Sequence, residues 1–68
     1  MITNIYEVDA FTGRRGKLVM TIESDYRFEK GDEFVIDQGG GHLALRVMKV
    51  RMILQPDEIR REIDAIHL

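Results

Sequence analysis

Apolar side chains recur at every second position through most of residues 6–54, and short glycine-bearing breaks interrupt them. A chain with that period folds into half-buried β-strands, because successive side chains in a strand point to opposite faces. Tyr6, Val8 and Ala10 alternate with Glu7 and Asp9; Leu18, Met20 and Ile22 alternate with Lys17, Val19, Thr21 and Glu23. Between these two strands Thr12-Gly13-Arg14-Arg15-Gly16 reads as a hairpin connection that displays Arg14 and Arg15 at its tip.

Tyr26 and Phe28 follow a polar Ser24-Asp25 corner, and Glu29-Lys30-Gly31-Asp32 reads as a β-turn with glycine at its third position, as type II requires. Glu33-Phe34-Val35-Ile36-Asp37 forms a third strand, residues 37–41 a flexible turn, and residues 42–54 a long fourth strand. In that fourth strand the polar positions Arg46, Lys49 and Arg51 are spaced three and then two apart. The period slips once, and the slip predicts a β-bulge at Val47-Met48, or a bend between two short strands.

Residues 56–68 read differently. Pro56 stands where a first helical residue would, Asp57 and Glu58 lie beside it, and Ile59, Ile63 and Ile66 fall at i, i+4 and i+7. Arg60, Arg61, Glu62 and Asp64 occupy the other side of that wheel, so an amphipathic C-terminal helix is expected. The fold class expected from these patterns is mostly β, a β-rich α+β arrangement. It is a small antiparallel SH3-like or OB-like barrel of four to five strands, closed by the helix over residues 56–68.

Sixty-eight residues make a single small domain (1–68), too short for a separate cofactor or substrate domain. With 44% apolar and 32% charged residues the balance is globular, not disordered. No cysteine is present, which excludes disulfides and thiolate sites and fits a reducing, cytoplasmic setting. The first residues lack a signal-peptide pattern, and no window is apolar enough for a spanning helix, so no membrane association is expected. A net charge of -2 supplies no global field for nucleic acid.

Gly31-Asp32-Glu33-Phe34 together with Pro56-Asp57-Glu58-Ile59-Arg60-Arg61-Glu62-Ile63 resembles the carbon storage regulator family of RNA-binding dimers. The resemblance covers under half of the chain. That family begins with a short basic strand, where this chain has a complete hairpin of 24 residues, so no residue role is carried over. In size the chain also resembles the small regulatory or inhibitory proteins of bacteria and their phages.

Chemistry-bearing clusters are few. Gly39-Gly40-Gly41-His42 reads as a hairpin tip, since an anion-cradling loop needs a helix after its glycines and a strand follows here. Ser24 is the single serine, neither His42 nor His67 has a second histidine at metal-ligand spacing, and no cofactor motif is present. A non-enzymatic protein with no catalytic residues, no metal and no cofactor is therefore expected.

Two surfaces stand out for binding. Val19 and Val35 face outward in the strand phases above, next to unpaired strand edges, and such β-branched edges invite pairing with a protein partner or with a second copy as a homodimer. Arg14, Arg15 and Lys17 on the first hairpin, with Arg46, Lys49 and Arg51 on the fourth strand, make a basic stripe if they share a face. A protein-binding module that uses these eight residues is the primary expectation. The alternative is a nucleic-acid-binding barrel, with Tyr6, Phe11, Tyr26 and Phe28 as candidate stacking platforms.

Overall fold

A computed structural model describes residues 1–68 and contains five strands and no helix: β1 (Ile2–Val8), β2 (Arg15–Glu23), β3 (Glu33–Gln38), β4 (Gly41–Gln55) and β5 (Glu58–His67). They form one sheet in the order β2-β1-β5-β4-β3, antiparallel throughout except for the parallel pair β1–β5. The sheet is a half-barrel whose two edges, β2 and β3, are not joined. With no helix present, none is long and apolar enough to cross a membrane.

The C-terminal helix expected over residues 56–68 is thus corrected. Those residues form a turn and then β5, the central strand of the sheet. Ile59 and Ile63 suit a helical stripe, but they equally suit a strand in which Ile59, Arg61, Ile63 and Ala65 face one way and Arg60, Glu62, Asp64 and Ile66 the other. Tertiary pairing decides between the two periods: β5 lies between β1 and β4 and bonds to both, and its three isoleucines are β-branched and favour strand geometry. Pro56-Asp57 is the two-residue connection of a β4–β5 hairpin, with both residues at negative φ, as in a type I turn with proline at its second position. The chain is therefore mostly β and barrel-like, as its period implies, but its mixed, open sheet is not the closed antiparallel barrel expected, and no helix caps it.

Other sequence-based expectations hold. The register of β4 against β5 shifts between Val47 and Lys49, where the period slips. Gly31 has φ +94°, and the Asp32 amide donates to the Glu29 carbonyl at 3.0 Å, closing the turn before β3. Gly39 and Gly40 both take positive φ between β3 and β4, the conformation that a tight hairpin turn needs and that glycine adopts without penalty.

One face of the sheet carries the core. Ile5, Ile36, Leu45, Val47, Ile63 and Ala65 are buried together there, and Phe28, Phe34, Leu43 and Val50 pack against them. Only 9 of 68 residues are buried, so this core covers one part of the inner face and leaves the rest open. The segment joining β2 to β3 folds over that face, held by edge-to-face contacts of Tyr26 with Phe28 (4.8 Å) and of Phe28 with Phe34 (5.7 Å).

The two readings of residues 56–68 differ in the fate of two isoleucines that a helical stripe would treat alike. Ile63→Asp places an unpaired charge at a fully buried central position and is expected to cost about 4 kcal/mol or more, enough to unfold so small a domain. Ile66→Asp lies on the outer face opposite Arg46 and is expected to cost about 1 kcal/mol or less. Urea unfolding of both variants measures the difference.

Candidate functional site

Six of the eight residues singled out for binding are basic, and the structure gives most of them acidic neighbours. Arg15 opens β2 on the outer face, where its guanidinium lies over the Tyr6 ring at 4.1 Å from the centroid and reaches across β1 to β5. Its Nε donates to Asp64 Oδ1 at 3.0 Å and its Nη1 to Glu62 Oε1 at 2.9 Å. Burial alone pulls the Arg15 pKa down, but the hydrogen bonds it donates to Glu62 and Asp64 outweigh it and the net direction is upward, so the side chain is held charged. Arg46 is bound by Glu33 at 2.8 Å, Arg51 lies 3.7 Å from Glu62, and Lys49 is the register partner of Asp64. Arg14, in the turn before β2, and Lys17, on β2, are exposed.

The outer face is therefore a lattice of alternating charge across β2, β5, β4 and β3. Arg15, Arg46, Lys49 and Arg51 do come to one face, but Glu33, Glu62 and Asp64 are interleaved with them. Arg15 is also no hairpin tip, since it ties the start of β2 to the centre of the sheet.

The two valines separate. Val35 is 59% exposed on edge strand β3, opposite Ala44. Val19, expected to face outward, instead packs against the core, because the β1–β2 register shifts between Ile5 and Tyr6 and the irregularity turns Val19 inward beside Met20. The two positions lie at opposite edges of the sheet.

A further unpaired flank, inside the sheet rather than at its edge strands, lies on β4. β3 pairs with β4 only as far as Arg46, and the loop before β3 adds two hydrogen bonds, Gly31 N–H to the Val47 carbonyl and Val47 N–H to the Asp32 carbonyl, each 2.8 Å. Beyond that point, past the bulged Met48, residues 49–55 of β4 pair with β5 on one side and with no strand on the other. Paired antiparallel residues alternate between exchanging hydrogen bonds and directing them away, so about half of the backbone groups in this overhang face an empty flank. On the inner face of the same hairpin Met52 (45% exposed), Leu54 (72%) and Ile59 (52%) continue the apolar surface past the end of the core.

Sequence reasoning missed this hairpin because a helix was assigned to its second arm. The signal was Pro56-Asp57 between two alternating runs, a turn dipeptide with Leu54 and Ile59 flanking it symmetrically.

No three His, Asp or Glu side chains converge as a metal-ligand set. His42 lies 3.7 Å from Asp37 at the β3–β4 turn, where both are exposed, and His67 ends β5 opposite Leu45. Compared with models of protein families, with curated proteins and with solved structures, the chain finds no match.

Arg15→Ala is expected to cost about 1–2 kcal/mol, because it removes a two-carboxylate bridge and a ring contact that fasten β2 to β5. Arg14→Ala, one residue away and exposed, is expected to change stability by about 0.5 kcal/mol or less. Thermal unfolding of the two single variants checks the contrast.

Proposed function

We propose that the chain is a non-enzymatic protein-binding module whose partner adds a strand along the free flank of β4. The overhang of residues 49–55 carries this reading: a run of unpaired backbone groups beside exposed Met52 and Leu54, with Ile59 of the same hairpin behind them. Strand addition uses backbone hydrogen bonds for affinity and alternate side chains for specificity, and both elements are present here.

Charge narrows the partner. Lys49 and Arg51 lie on the outer face of the overhang, so an added strand with acidic residues at its outward positions and apolar residues at its inward ones is complementary. Pairing two copies through this flank would set Lys49 and Arg51 against the same residues of the second copy. Like charges opposed across a strand pair are destabilising, which favours a different protein over a homodimer at this edge.

Nucleic-acid binding has less support. The basic residues of the outer face are interleaved with Glu33, Glu62 and Asp64, and Phe28 is committed to packing against the core. The absence of cysteine supports a reducing, cytoplasmic setting for the module.

A photo-reactive amino acid in place of Leu54 tests the reading in cells. The expected product is a covalent adduct with one protein that survives nuclease and maps to an extended, acidic segment of that protein. The adduct should be lost when Met52→Lys and Ile59→Lys are combined with the probe. Retention that vanishes with nuclease, or that falls steeply as salt rises, would transfer the function to nucleic acid.

A further inference from the structure

Arg61 is the one buried cation of the chain, at 5% exposure, and it forms no ion pair. It projects from central strand β5 onto the inner face. There its Nε donates to Thr3 Oγ1 at 3.0 Å, Nη1 donates to the Tyr26 carbonyl, and Nη2 donates to the Ser24 carbonyl at 3.4 Å. The Phe28 ring lies 5.0 Å from the guanidinium carbon. All of these partners are neutral, and three bonds leave two of the five guanidinium N–H groups without an acceptor. A buried charge is ordinarily matched by an opposite charge, and here the chain supplies none.

Arg61 borders a groove of about 350 Å³, at the lower end of small-molecule sites. Phe28, Val50 and Met52 form its apolar wall, and Arg27 adds a second cation. Asp25 also lines the groove, but the Met1 ammonium holds it at 3.1 Å, with Glu23 bound to the same ammonium at 2.7 Å. A positive floor and an apolar wall, with Asp25 exposed and bonded to the Met1 ammonium, select one ligand chemistry.

We propose that this groove binds a carboxylate carried on an apolar group, with the carboxylate paired to Arg61 and the apolar part against Phe28, Val50 and Met52. The groove shares Val50 and Met52 with the overhang of β4, but its polar end is Arg61 rather than the strand flank, and its occupancy does not require a strand-adding partner. Planar carboxylates match a guanidinium with two parallel hydrogen bonds, which a halide or an ammonium does not reproduce.

The test uses the full chain, isotope-labelled, and octanoate as probe, with octanol and octylamine as neutral and cationic counterparts. Octanoate is expected to move the Arg61 Nε–H resonance together with the signals of Phe28, Val50 and Met52. Octanol and octylamine should leave Arg61 unmoved. Acetylated trivaline and its C-terminal amide form a second pair: a response to the acid alone identifies a peptide C-terminus as a source, and a response to octanoate alone identifies a free amphiphile. Met52 is the register partner of Arg61, so Met52→Glu installs the missing carboxylate from within. That variant is expected to melt higher than the native chain and to bind octanoate at least ~tenfold more weakly than Met52→Gln, which loses the same apolar contact without adding a charge. No movement of Arg61 with either acid, an equal response to octanol, or equal affinities in Met52→Glu and Met52→Gln beside folded spectra would overturn the site.

Discussion

The structure depends on β5 being paired on both flanks, in parallel with β1 and antiparallel with β4. Residues near the two ends of the chain meet in that pairing, Ile5 beside Ile63 and Thr3 beside Arg61, and the hairpins β1–β2 and β3–β4 are attached to either side of it. Without β5 the remainder is two hairpins with no shared sheet, and an isolated hairpin is marginal in water. The parallel pair also closes a long loop before any contact rewards it, the arrangement that makes β-rich domains fold slowly.

Two different faces follow from the alternation of β5. Its odd-numbered residues carry the core and the one buried guanidinium, while Glu62 and Asp64, even-numbered, receive Arg15 and oppose Arg51 and Lys49. Acids and bases alternate across the strands of the outer face, which leaves little net field to recruit a polyanion, while Lys49 and Arg51 stand beside the free flank. The inner face is uneven for another reason. β3 is six residues long and β4 fifteen, so the second half of β4 has no strand on the flank opposite β5 and no full apolar cover. Both proposed interactions lie along this shortfall, one at the strand flank and one in the groove beneath it.

Much of this was legible in the sequence. The alternation of β1 to β4 marks strands directly, Gly31 and the Gly39-Gly40 pair mark turns, and the changed spacing of Arg46, Lys49 and Arg51 marks the bulge. Residues 56–68 were not legible, because Ile59 and Ile63 are four apart and satisfy both the helical and the strand period. Proline followed by acids imitates a helix start although Pro56-Asp57 is also a turn dipeptide, and pairing with β4 on one side and, more than fifty residues earlier in the chain, with β1 on the other decides the matter. Val19 was misplaced by a register shift that no alternation reveals, and Arg15 by acidic partners 47 and 49 residues away. Local pattern carries local structure; the site rests on pairings between distant segments.

Amide hydrogen exchange resolved residue by residue tests the central pairing most directly. The account predicts the slowest exchange at Arg61, Ile63 and their neighbours in β5, with alternate slow and fast amides along residues 49–55 of β4, where one flank is bonded and the other is free. Uniformly fast exchange through residues 58–67, or a continuous run of protected amides with helical spacing of contacts there, would contradict it.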